Sequence, residues 1–208
     1  MAAIAERPAK TAFPRWLLVL PGVLLVVIAV CAAAIIYLQR SATLVGTTLN
    51  GTPAPPFTLT DQDGRPISLG QFRGQPVALT FLYTQCPDAC PLIADELRQA
   101  SDLLGPDAAR VGVLAVSTDP VHDTRVAAVN FTQVHGMSGR WHYLLGSPEQ
   151  LSPVWQKYYI GVTPADSEVT HSEAVYLIDK AGRERVLLGL PFSARDLASD
   201  LKKLLAEN

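Results

Sequence analysis

The sequence predicts an α/β fold, a central sheet flanked by helices, set behind one N-terminal transmembrane helix. Short apolar runs bounded by turn residues recur from residue 76 onward, amphipathic helical patterns alternate with them, and Trp16 to Leu38 is a stretch of 23 residues without a charge. The chain has 208 residues, 49% of them hydrophobic, with three cysteines, which suits one sizeable core and excludes a disulfide-built miniprotein. Residues 1–40 hold four of the 17 basic residues and one of the 19 acidic ones, so the rest carries 13 against 18, a net of −5. An acidic body of this kind argues against nucleic acid as a partner.

At a helical rise of about 1.5 Å per residue, Trp16 to Leu38 covers the roughly 30 Å hydrocarbon core of a bilayer. Trp16 and Tyr37 stand where an interfacial aromatic belt would lie, and Pro21 falls near the start, where a missing N–H costs least. Arg7, Lys10 and Arg15 precede the span and only Arg40 follows closely, which points the N-terminus to the cytoplasm and the rest to the extracytoplasmic side. Ala32-Ala33-Ala34 would serve as a cleavage site if the segment were a signal peptide, but the apolar region of such peptides runs only about 7–15 residues. Cys31 reads as a membrane thiol. The expected organisation is a cytoplasmic N-terminus at 1–15, an anchor at 16–39, a Pro/Gly-rich linker at 40–56 and a folded domain at 57–208.

Within that domain, Asp63-Gly64 joins two alternating runs in a hairpin pattern. Residues 76–83, 111–118, 174–179 and 185–190 read as strands buried on both faces. Between them, Pro91 to Leu104 places Ile93, Leu97, Ala100 and Leu104 on one helical stripe. Asp123 to His135 and Ser147 to Tyr159 read as further helices, and Ser193 caps a last one that carries Leu197, Leu201, Leu204 and Leu205 on one side. Strands alternating with helices, followed by a closing hairpin and helix, give a thioredoxin-like order.

The chemistry centres on TFLYTQCPDACP, which puts Cys86 after a strand and Cys90 four residues on, at the mouth of a helix. Residues i and i+4 share a helix face, so the two sulfurs can meet at one metal ion or join each other. A helix N-terminus favours the thiolate, the form that binds metal and attacks disulfides. A purely structural disulfide here would close a very small loop and restrict the unfolded chain little. Asp119 and Asp123 read as a strand-to-helix turn with Asp123 as the cap. Taken singly, His171 reads as a loop histidine, and His122, His135 and His142 as packed or exposed ones.

Residues 51–91, STDPVHDT (117–124) and THSEAVYLID (170–179) together resemble the Sco/SenC family, copper proteins of cytochrome c oxidase assembly, over about residues 51–206. The resemblance implies that Cys86, Cys90 and His171 are the copper ligands. Two thiolates suit Cu(I), and an added imidazole lets the set hold Cu(II), although a Cys₂His set also fits zinc. It further implies delivery of copper to the binuclear centre of oxidase subunit II, with other copper chaperones or thioredoxin-like reductants as further partners and a place on the periplasmic side of a bacterial inner membrane. Gln85 stands where many members carry histidine, so one nearby imidazole is absent. The alternative is a thiol-disulfide reductase that uses Cys86 and Cys90 to keep the acceptor's cysteines reduced. A peroxidase would need an activating arginine beside Thr84 that the sequence does not identify.

Overall fold

A computed structural model of the chain describes residues 22–34, 43–163, 170–171 and 173–207. They fall into two units divided between Thr43 and Leu44. The first holds helix α1, residues 22–34, with exposed apolar side chains. Among the described residues no helix is long and apolar enough to cross a membrane. The rest of the predicted span, residues 16–21 and 35–38, lies outside the described residues.

The second unit is built on β1 (Thr47–Thr48), β2 (Thr58–Asp61), β3 (Pro66–Ser68), β4 (Val77–Leu82), β5 (Gly112–Ser117) and β6 (His142–Leu145), then β7 (Val162–Thr163), β8 (Thr170–His171), β9 (Val175–Ile178) and β10 (Glu184–Leu188). Eight of these strands form one sheet in the order β1-β10-β9-β4-β5-β6-β2-β3, while β7 and β8 pair separately. The central β4, β5 and β6 run parallel, and β9 lies antiparallel to β4. The helices are α2 (Ala89–Leu104), α3 (Arg125–Val134), α4 (Pro148–Lys157) and α5 (Ala194–Ala206).

Every residue of β4 is buried because both faces of the sheet are covered. Ala78 and Leu82 join the cluster with Ile93 and Leu97 of α2 and Leu197 and Leu201 of α5. Leu79 and Phe81 join the opposite cluster with Leu151 and Val154 of α4, where Phe81 packs 5.6 Å from the Tyr158 ring and 6.3 Å from that of Tyr176. The one polar residue in the strand, Thr80, donates its hydroxyl to the Ala174 carbonyl at 3.0 Å. The α2 stripe is buried as expected, and Gly105, with φ of 59°, ends the helix in a conformation that an L side chain resists.

Three features depart from the sequence expectation. Strand β6 was not predicted, because the polar His142 interrupts its apolar run; its imidazole pairs with the buried Asp61 carboxylate at 2.9 Å, a partner 81 residues away. Thr124, rather than Asp123, caps α3, its hydroxyl accepting from the Ala127 N–H. The stretch expected to be a free linker to residue 56 is, from Leu44 on, part of the fold. Strand β1 pairs with β10, the Leu49 N–H donates to the Arg185 carbonyl, and the Val45 N–H donates to the buried Asp200 carboxylate at 2.7 Å. Ala54 is buried against the second cluster, and the Tyr158 hydroxyl donates to the Pro55 carbonyl at 2.8 Å.

A chain beginning at Phe57 loses these contacts and leaves Asp200 with one fewer donor. It should be less stable than a chain beginning at Thr43 by about 2–4 kcal/mol, read as a lower midpoint in urea.

Candidate metal centre

The cysteine loop leaves the sheet at the end of β4 and enters α2. Asp88 is the N-cap of that helix and accepts from the Ala89 N–H. The next N–H, that of Cys90, is one of the groups that a helix start leaves without an intrahelical partner, and it donates to the Cys86 sulfur at 3.3 Å. The two cysteine side chains also act on each other, each shifting the other's titration. Both cysteines are buried and neither is in a disulfide.

This geometry divides the pair. The hydrogen bond from Cys90 outweighs partial burial and lowers the pKa of Cys86 to about 6. The same bond, with nearly complete burial, pushes Cys90 far above the ordinary thiol range. The surroundings thus favour the thiolate at Cys86 and the protonated form at Cys90. The Asp88 carboxylate stands 3.8 Å from the Cys86 sulfur and accepts from it only when Cys86 is protonated.

Asp123 fixes the loop from below. Its carboxylate accepts from the Thr84 N–H at 2.8 Å, the Ser117 hydroxyl at 2.6 Å and the Tyr143 hydroxyl at 2.9 Å, which joins the cysteine loop to the end of β5 and to β6. Burial raises the pKa of this carboxyl, and the donors oppose that shift. Sequence reasoning took Asp123 for a helix cap and missed this role. The available signal was the acid next to Thr124, itself a sufficient cap.

The backbone of His171 lies in β8, where it pairs with Val162 of β7. Its side chain lies outside the described residues, as do residues 164–169 of the preceding loop. The chain path nevertheless defines its neighbourhood. Thr80 near the end of β4 is registered with Val175 and bonded to Ala174, so the segment entering β9 meets the sheet at the edge from which the cysteine loop leaves. His171 is three residues upstream of Ala174, a reach of at most ~10 Å. Among the described residues no three His, Cys, Asp or Glu side chains form a metal-binding cluster. His122 is paired with Asp119 at 2.7 Å, and His135 packs at a 45° tilt on Phe131 with ring centres 4.3 Å apart.

The SCO1/SenC family model matches residues 46–206. The mouse mitochondrial protein SCO2 homolog is 31% identical over 158 residues, covering 72% of this chain and 61% of its own length. Protein SenC of Rhodobacter capsulatus is 32% identical over 129 residues, covering 60% and 58%. The chain thus spans about three-fifths of the length of these curated relatives. Among solved structures, that of Bradyrhizobium japonicum ScoI with copper bound is similar with a TM-score of 0.66 and 30% identity, covering 74% of this chain and all of that one.

In the reduced protein, alkylation of Cys86 should rise with a midpoint near pH 6, while Cys90 stays unmodified through neutral pH. Mass mapping of labelled peptides across a pH series checks both; equal labelling of the two cysteines at pH 7 would contradict the proton arrangement.

Proposed function

The chain belongs to the SCO1/SenC family, and from that premise we propose that it is a membrane-tethered copper chaperone. It binds copper through Cys86, Cys90 and His171 and passes it to the binuclear copper centre of cytochrome c oxidase subunit II. The observation that carries this reading is the reduced cysteine pair at the head of α2, at the sheet edge toward which the His171 segment runs. Its donors suit the cargo: thiolates favour Cu(I), and an imidazole beside them accommodates Cu(II). Relatives solved with copper bound, among them ScoI, support the choice of metal.

Copper binds first to the Cys86 thiolate, and Cys90 joins it by giving up its proton. Release follows by ligand exchange, with thiolates of the acceptor displacing Cys86 and Cys90 one at a time. The uncharged stretch at Trp16 to Leu38 and the basic residues before it support an anchored chain with its folded domain on the periplasmic side.

The opposed thiol pKa values favour a second reading, a thiol-disulfide reductase. The Cys86 thiolate attacks a partner disulfide, forming a mixed disulfide, and one partner sulfur leaves as a thiolate that takes up the Cys90 proton. Cys90, now a thiolate, attacks the Cys86 sulfur and releases the other partner sulfur. Two electrons pass to the partner and the Cys86–Cys90 disulfide remains.

Titration of the reduced protein with copper separates these readings. The chaperone reading expects one copper per chain, a sulfur-to-copper absorption band with Cu(II), and Cu(II) affinity lowered by more than about tenfold in His171→Ala. Binding no tighter than to an unrelated dithiol, with no effect of His171→Ala, would leave the reductase.

A further inference from the structure

A cleft of about 480 Å³ opens at Gly112 and His142, where β5 and β6 begin. The cysteine loop leaves β4 after Leu82, which is registered with Ser117, so the cleft, at Gly112, lies ~17 Å away at the other end of the sheet. The Gln62 side chain in its lining is only 5% exposed. Its amide oxygen accepts from the Tyr143 N–H at 2.7 Å, which fixes the amide and leaves its NH₂ group without a partner among the described residues. The titratable lining residues are Arg65, Arg140, His142 and Asp63. Arg65 meets Asp63 at 2.6 Å through one nitrogen, and Arg140 meets Asp102 at 2.6 Å through one nitrogen, so both guanidiniums keep further N–H groups to offer. His142 holds Nδ1 against the buried Asp61 carboxylate at 2.9 Å, and its Nε2–H is a further donor whenever the ring is protonated. Phe72 and Trp141 add apolar wall, the indole N–H being turned away to the Thr132 hydroxyl at 3.0 Å.

We propose that this cleft binds a small amphiphilic oxyanion, a carboxylate or phosphate carried on an apolar or aromatic body. Donors dominate its polar lining: the buried Gln62 amide and two guanidiniums stand against one acid, Asp63, that is already paired. A buried N–H group without a partner costs about 1–3 kcal/mol, and a ligand oxygen at Gln62 removes that cost. A guanidinium meets carboxylate or phosphate in a two-bond fork, whereas a cation entering the cleft would meet two like charges. Residues 41–208 carry a net charge of −5, so the body as a whole repels anions and the attraction is local to this site. Phe72 and Trp141 take the apolar end, and the volume is in the range of small-molecule sites, roughly 300–1,000 Å³. The site is separate from the cysteines and stands whether or not they carry copper.

The test is calorimetric titration of the full chain in a non-ionic detergent with four ligands of one size: phenyl phosphate, benzoate, benzylamine and benzyl alcohol. Phenyl phosphate and benzoate should bind at one per chain and about tenfold tighter than the amine or the alcohol. Gln62→Glu keeps the oxygen that accepts from Tyr143 but replaces the NH₂ group by a second oxygen, and should weaken both anions by more than about tenfold. Arg65→Gln and Arg140→Gln change only exposed ion pairs, so they keep the test open if Gln62→Glu fails to fold; each should weaken the anions by about three- to tenfold. Affinity for benzyl alcohol should stay the same in every variant, which separates loss of charge recognition from loss of the cleft. Displacement of phenyl phosphate by a short-chain phosphatidylglycerol assigns a lipid headgroup as the anion, and displacement by inorganic phosphate alone assigns a free one. Benzyl alcohol binding as tightly as benzoate would reduce the cleft to an apolar pocket and overturn the proposal. So would anion affinities unchanged in all three variants, or no saturation by either anion up to ~10 mM.

Discussion

A buried carboxylate in the hydrogen-bonded core holds the reactive loop in place. Left bare, the Asp123 charge would cost several kcal/mol in the interior. Three donors from three places, Thr84 in the cysteine loop, Ser117 at the end of β5 and Tyr143 in β6, remove most of that cost. The parallel pairing of β4 with β5 brings these donors to one point, and no local sequence preference could do so. The loop is thus rigid where it leaves the sheet, and α2 holds its other end through the Asp88 cap.

Rigidity at both ends sets the thiol chemistry between them. The Cys86 sulfur stands where the Cys90 N–H of the first helical turn must find an acceptor, so the helix start and the thiolate satisfy each other. Cys90 faces the core, where a second negative charge would be costly, and Asp123 adds to that cost. One proton is therefore shared unequally by two sulfurs, and on the proposed reading the outer one is the nucleophile.

Much of this was legible in the sequence. The mostly apolar runs at β4, β5 and β9 read as buried strands and prove so, whereas the shared helix face expected for the cysteines does not form, because Cys86 lies in the loop before the Asp88 cap and meets Cys90 through that residue's N–H. What escaped the reading depends on distant partners. His142 sits in a strand because Asp61 neutralises its polarity, and Thr47–Thr48 becomes a strand only when β10 lies beside it. Asp123 was misread for the same reason: Thr84 and Tyr143, which give it a role, are 39 and 20 residues away. The cysteines announce themselves by chemistry, whereas the groups that position them are common residue types whose meaning lies in the topology.

The unequal sharing of the proton bears on how such a site takes up and releases a thiophilic ion. On the proposed reading, an incoming copper ion meets a ligand already ionised at Cys86, and only the Cys90 proton must be displaced to complete the thiolate pair. On the same reading reversal is equally graded, since return of a proton to Cys90 opens one coordination position while Cys86 still holds the ion. An acceptor thiolate can then enter before the donor lets go, which keeps the ion bound to sulfur throughout. Two identical exposed thiols would lack this order, because neither would be distinguished as first to bind or first to leave. The asymmetry arises from one backbone N–H, one buried face and one carboxylate, all supplied by the fold.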